Sequence, residues 1–230
     1  MVDPYAWLLS ADDPETIPHL EAENAWTEAA TAAQEPLRQA IFDEIKGRTQ
    51  ETDLSVPVRD GAWWYLTRTE EGKPYPIHCR RPDDGTTTTW ADDPALEQVV
   101  LDPNELAGEG EYLGLGVLDV SPDGNWLAYA IDRAGDERHA LRFRDLRTGE
   151  EAAETVEDVS YGFAWAADSA TCWYTLDDDA HRPDRVLRHA VGTDPSADAE
   201  VFRDDDERFH VSVGSSRSGA VAVISAGSAI

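Results

Sequence analysis

The chain has 230 residues, 41% apolar and 9% aromatic, which is enough to bury a core and excludes a wholly disordered polypeptide. Acidic residues outnumber basic ones 47 to 19, a formal charge of -28 spread along the sequence. That balance disfavours nucleic acid and anionic membrane as partners, whose phosphates would be repelled; the charge reads either as a solvated acidic surface or as attraction of basic peptides or other cations.

Residues 1–50 read as a helical arm. Thr16 and Pro18 are start signals for a helix through Leu20, Trp26 and the alanines at 29, 30, 32 and 33. A second helix is predicted from Pro36 to Gly47, with Leu37, Ile41 and Ile45 spaced to form one apolar stripe. The stripe needs a partner, either the edge of the following β domain or another domain.

From Glu51 the apolar period becomes that of strands, and residues 51–230 read as one β domain. A first four-stranded unit is predicted at Ser55–Arg59, Ala62–Arg68, Tyr75–Arg81 and Glu97–Asp102. The second starts near Tyr112, passes through the hairpin at Val120–Asp132, and ends with His139–Asp145 and a strand near Val156. A third comprises Tyr161–Trp165, Thr171–Leu176, Arg185–Ala190 and Glu200–Arg203, and two further strands, His210–Gly214 and Ala220–Ile224, begin a fourth.

The hairpin organises this reading. In Ser121-Pro122-Asp123-Gly124, Pro122 sets φ for a type I turn, Asp123 can accept local N–H groups, and Gly124 tolerates the positive φ that follows. Trp126 to Ile131 are all apolar, which predicts a strand covered on both faces. Related turns recur at Asp168-Ser169 and at Ser218-Gly219, 45 and then 50 residues further on. Strands and turns repeating at that period predict propeller blades. The expected fold is mainly β: an incomplete propeller of about three and a half four-stranded blades behind a helical arm.

The same residues predict no catalytic, cofactor or metal centre. The nearest approach to a serine nucleophile elbow, Gly214-Ser215-Ser216-Arg217-Ser218-Gly219, has one residue too many between its glycines and leads into a strand, so it reads as a hairpin turn. His19, His78, His139, His181, His189 and His210 lack metal-ligand spacing and read as strand-surface or partly buried. Cys79 and Cys172 read as inert buried thiols, too few for a disulfide framework. Asp177-Asp178-Asp179 and Asp204-Asp205-Asp206-Glu207 lack the spacing of a calcium loop and read as solvated inter-strand loops. Without a signal peptide or long apolar span, the expected location is the cytoplasm.

Taken in order, several stretches resemble the N-terminal half of the prolyl oligopeptidase family, in particular its oligopeptidase B branch. They are Asp3-Pro4-Tyr5-Ala6-Trp7-Leu8, Leu20-Glu21-Ala22-Glu23-Asn24-Ala25, Ser55-Val56-Pro57-Val58-Arg59-Asp60-Gly61 and Glu71-Gly72-Lys73-Pro74-Tyr75-Pro76-Ile77. Val120–Tyr129, Leu141–Leu146 with Thr148-Gly149-Glu150, Arg185–His189 with Gly192–Pro195, and Asp206–Phe209 follow. The resemblance implies a cytoplasmic serine peptidase that cuts short peptides after Arg or Lys, built from a seven-bladed propeller and a C-terminal α/β-hydrolase domain. It implies that the arm packs on the hydrolase domain and that the propeller caps the active site. The family's Ser, Asp and His belong to the hydrolase domain. The chain is therefore expected to be the propeller portion of such an enzyme or, alternatively, a shortened relative serving as a non-catalytic binding scaffold.

Overall fold

A computed structural model describes residues 3–85, 94–108 and 110–228. They divide into two units, Met1–Glu51 and Thr52–Ile230.

The first unit is helical. A 3-10 turn at Ala6–Leu9 precedes helix α1 (Thr16–Thr31), and a second at Ala32–Gln34 leads into helix α2 (Glu35–Arg48). Thr16 donates its hydroxyl to the Trp7 carbonyl at 3.1 Å, and the Trp7 ring meets His19 edge-on at 5.4 Å, which fastens the leader to α1. Helix α2 has Pro36 in its first turn, Glu35 at its positive end, and Lys46 and Arg48 at its negative end, the arrangement that the helix dipole favours. The predicted stripe stands bare: Leu37, Ile41 and Ile45 are 63%, 49% and 62% exposed, and Trp26 of α1 is 69% exposed.

The described residues of the second unit form three antiparallel sheets. The first blade contains β1 (Asp53–Leu54), β2 (Val58–Asp60), β3 (Trp63–Thr69), β4 (Ile77–Pro82) and β5 (Gln98–Leu101). The predicted strand Ser55–Arg59 is broken into β1 and β2, which pair with opposite ends of β3. Pro57 has no N–H to give to a ladder, and the Ser55 hydroxyl accepts from the Thr67 N–H at 2.8 Å across the break.

Seven strands form the next sheet: β6 (Gly114–Val120), β7 (Trp126–Asp132), β8 (His139–Asp145), β9 (Val156–Trp165), β10 (Thr171–Asp177), β11 (Pro183–Ala190) and β12 (Ala199–Arg203). The last strand of the second blade and the first of the third, predicted as separate, are one continuous strand. Val156 and Val159 of β9 pair with Leu141 and His139 of β8, whereas Phe163, Ala164 and Trp165 pair with Tyr174, Trp173 and Cys172 of β10. Val159 also pairs with Leu176 of β10, and Asp158, with a left-handed backbone of φ 60, lies where the register against β8 shifts. The fourth blade starts with β13 (Phe209–Ser215) and β14 (Ala222–Ser228), the latter beginning two residues beyond the expected Ala220.

Alternation along the strands assigns each face to one seam between blades. Leu127, Tyr129 and Ile131 of β7 join Val100, Leu101 and Leu113 in a core between the first and second blades. Ala128 and Ala130, on the other face, join Phe143, Val159, Phe163, Trp165 and Tyr174 between the second and third. Ala164 and Val186 meet Val211 and Val213 between the third and fourth. This accounts for the uninterrupted apolar run at 126–131: β7 has no solvent face, and each fully buried Leu or Ile is worth about 1.5–3 kcal/mol.

Candidate functional site

The recurring turns share one hydrogen-bond plan. The first-residue N–H donates across the hairpin: Ser121 to the Trp126 carbonyl at 2.8 Å, Ala166 to Thr171 at 2.8 Å, and Ser216 to Val221 at 2.9 Å. The fourth-residue N–H closes the turn onto the first carbonyl: Gly124 to Ser121, Ser169 to Ala166, and Gly219 to Ser216. Each fourth residue has positive φ, 75, 58 and 68 respectively, as a type I turn with a left-handed closing residue requires.

These turns are fastened to neighbouring blades. The buried Arg80 guanidinium lies 3.8 Å from the Trp63 ring centroid, donates to the Gly124 carbonyl at 2.6 Å and holds the Gln98 side chain at 2.8 Å. A Cβ on Gly124 would sit 2.7 Å from Trp63 Nε1, so the position needs glycine for space as well as for φ. The Asp123 N–H donates to the Ser169 hydroxyl at 3.0 Å, and Trp165 Nε1 donates to the Asp119 carbonyl at 3.3 Å.

Among these turns lies a cavity of about 360 Å³, lined from successive blades by Asp60, Trp63, Tyr65, Asp119, Trp165 and Arg217. Asp119 is half-buried at its wall; burial, opposed in part by the Val120 N–H and reinforced by the Asp60 charge, pushes its pKa up to about 6. Burial also raises the Tyr65 phenol, with Arg80 opposing. The cavity therefore presents two mutually repelling carboxylates beside aromatic surface.

The residues singled out in the sequence are placed as follows. Gly214–Gly219 is the end of β13 and its hairpin turn, with the Ser216 and Ser218 hydroxyls 3.3 Å apart. Cys79 and Cys172 are buried free thiols; burial pushes Cys79 up to about 12 and Cys172 higher still.

Two histidines depart from the expectation of surface or partial burial. His139 is buried with Nδ1 3.2 Å from the Val159 carbonyl, beneath Tyr161. His189 is fully buried and stacked on Phe143. Its Nδ1 is 2.8 Å from Asp198 Oδ1, while Nε2 faces Glu154 Oε1 at 3.7 Å. Tyr174 donates to the second Asp198 oxygen at 2.8 Å. The pairing of imidazole with carboxylate is that of a hydrolytic base, yet its free nitrogen meets a carboxylate where a serine would be needed.

The acidic runs are also more ordered than solvated loops. Arg182 gathers them: its Nε donates to Asp178 Oδ2 at 2.9 Å, and its Nη1 donates to the carbonyls of Asp204, Asp206 and Phe209 at 3.2, 3.0 and 2.8 Å. The cation between these runs is thus an arginine of the chain. Among the described residues no three His, Cys, Asp or Glu side chains group to hold a metal ion, and no helix is long and apolar enough to cross a membrane.

Residues 1–230 match the family model described as "Prolyl oligopeptidase, N-terminal beta-propeller domain". The chain belongs to this family. It is 37% identical to dipeptidyl aminopeptidase BI of Pseudoxanthomonas mexicana over 94% of its own length and 31% of that protein's. It is 33% identical to Protease 2 of Moraxella lacunata, again over 94% and 31%. Oligopeptidase B of Leishmania major superposes with a TM-score of 0.89 at 27% identity, over 98% of this chain and 31% of that one. Oligopeptidase B of Trypanosoma brucei, solved in a closed form with covalently bound antipain, superposes at 0.86 with 32% identity, over 99% and 31%. The chain therefore spans about a third of the length of the relatives it matches.

Proposed function

We propose that this chain is the arm and propeller portion of an oligopeptidase-B-like serine peptidase that hydrolyses short peptides after Arg or Lys, and that it gates access to an active site carried by a C-terminal α/β-hydrolase domain. The observation that carries the reading is likeness along the whole chain to the first third of peptidases, with no serine facing His189 Nε2. In this reading residues 1–50 lay their bare apolar stripe on the hydrolase domain, and residues 51–230 form part of a seven-bladed cap in the cytoplasmic enzyme. The cap restricts entry by size and keeps bulk water from the reacting groups. The negative field of the chain draws basic peptides toward the entrance.

The test joins this chain to the remaining two thirds of Protease 2 of Moraxella lacunata, replacing that protein's own matching third. The expected result is cleavage of an Arg-containing fluorogenic peptide, blocked by a serine-directed inhibitor, whereas this chain by itself leaves the peptide intact. A chimera that folds cooperatively and stays inert overturns the gating role in favour of a non-catalytic scaffold. Turnover by the chain alone that survives purification overturns the placement of the catalytic groups.

A further inference from the structure

The cavity between the blade turns has a composition that the fold itself does not use. Its walls combine aromatic surface from Tyr65 and Trp165 with the Asp60 and Asp119 carboxylates, which come from two different blades. Among the described residues neither carboxylate is in a salt bridge, although other acidic groups of the same blades are: Asp83 pairs with Arg59, and Asp145 with Arg147. Asp60 is exposed and Asp119 half-buried, and two like charges that face one space repel unless a cation joins them. At 360 Å³ the space accommodates a side chain, and it opens to solvent where the turns separate. Arg217, also on the wall, belongs to the fourth-blade turn, and Asp123 is committed to Ser121 and Asn125 within its own turn. On the same rim the chain already pairs a guanidinium with an aromatic face, Arg80 over Trp63.

We infer that this cavity binds the side-chain cation of a basic peptide, a guanidinium or ammonium group, between Asp60 and Asp119 and against Tyr65 and Trp165. The inference deepens the proposed function and rests on it only in taking the ligand to be a substrate peptide. The propeller then acts as more than a sieve, because it holds a basic residue of the peptide outside the hydrolase domain.

Titration of the 230-residue chain with Nα-acetyl-arginine amide and Nα-acetyl-lysine amide, followed by calorimetry and tryptophan fluorescence, tests the site. Nα-acetyl-citrulline amide, of the same shape and without charge, is the control. The cationic amides are expected to bind at least roughly tenfold more tightly than the citrulline amide, and Asp60→Asn with Asp119→Asn is expected to remove that preference. Equal binding of arginine and citrulline amides, absence of binding, or an unchanged preference in a double variant with native circular dichroism overturns the inference. If the double variant fails to fold, the comparison of amides on the unaltered chain decides. An inert chimera with intact charge-selective binding removes the peptidase reading and leaves this site standing.

Discussion

The Asp123 N–H reaches 3.0 Å across a seam to the hydroxyl of Ser169, so the closing residue of one blade turn caps the turn of its neighbour. Ser169 holds a left-handed backbone, φ 58, where glycine would be relaxed, and its side chain is buried. Ser169→Ala keeps the strain and orphans the donor, and it is expected to destabilise the chain by about 1–3 kcal/mol. Ser169→Gly loses the same acceptor but recovers about 1 kcal/mol of backbone strain, giving urea midpoints in the order Ser, Gly, Ala. An alanine variant as stable as the parent would show that the seam does not depend on this bond.

Gly124 and Gly149 separate space from conformation. Both have positive φ, 75 and 78, but a Cβ at Gly149 meets nothing within 4 Å, whereas at Gly124 it runs into Trp63. Gly149→Ala is expected to cost about 1–2 kcal/mol from φ alone. Gly124→Ala is expected to cost about 1–3 kcal/mol more, because the ring stacked on Arg80 must move. Thermal unfolding of the two variants side by side checks the difference; equal losses would mean that Trp63 yields freely.

His189 bridges two carboxylates whose side chains are almost fully covered, Asp198 at 3% and Glu154 at 6% exposure. Replacing the ring by His189→Leu leaves Asp198 with the Tyr174 hydroxyl, and Glu154 with the Gly192 N–H, as donor, and a loss of about 1–3 kcal/mol in chemical denaturation is expected. Adding Asp198→Asn and Glu154→Gln should restore part of it. A triple variant no better than the single one would place the loss in packing on Phe143.

Asp119 gives a pH dependence of defined sign. Its pKa is raised in the folded chain to about 6, so the folded state binds the proton more tightly than the unfolded state. This group therefore weakens the fold progressively as pH rises from about 4 through 6. Asp119→Asn is expected to stabilise the chain by about 1–3 kcal/mol at pH 7 and to make no difference near pH 4. Asp132 runs the other way: burial alone would raise it, but the N–H groups of Gly135, Glu137 and Ala134 outweigh burial and lower its pKa. Its contribution is present above the unfolded value and lost as pH falls through the folded one, so Asp132→Asn should flatten the acid limb of the stability profile. Urea midpoints between pH 2 and 8 read both; a neutral-pH loss on Asp119→Asn, or an unaltered acid limb on Asp132→Asn, would reverse the assignment.

Arg182 is expected to control the loops at 177–182 and 204–209. Arg182→Ala removes donors from three carbonyls and from Asp178, with an expected loss of about 2–3 kcal/mol. Limited proteolysis should then cut first within Asp204–Arg208. Cleavage elsewhere first would show that the acidic loops are held by other contacts.

Much of the fold is legible in the residues because its signals are local. Pro122, Asp123 and Gly124 dictate a turn, and the apolar run at 126–131 dictates a two-faced strand. The continuity of Val156–Trp165 was not legible, since Glu157 and Asp158 interrupt the apolar pattern and Asp158 has a left-handed backbone within the strand. The cavity was harder still: Asp60 and Asp119 lie 59 positions apart in sequence and share a wall only after two blades stack. The roles of Arg80 and Arg182 are not legible either, because long-range partners such as the Gly124 carbonyl leave no trace in nearby sequence. One signal was available, the two arginines at 80 and 81 inside the β4 pattern that begins Ile77-His78-Cys79, where a strand flanked by others has little room for uncompensated charge.

Because β9 belongs to two ladders at once, the second and third blades are a single mechanical body joined by covalent backbone as well as by hydrogen bonds. Among the described residues the joints on either side carry no ladder and are held by side chains, among them Arg80 on the Gly124 carbonyl and Arg182 on the Phe209 carbonyl. Both of those joints border the cavity, through Trp63 on one side and the turn at Ser215–Gly219 on the other, so the cavity is walled by three bodies of which the central one is continuous backbone.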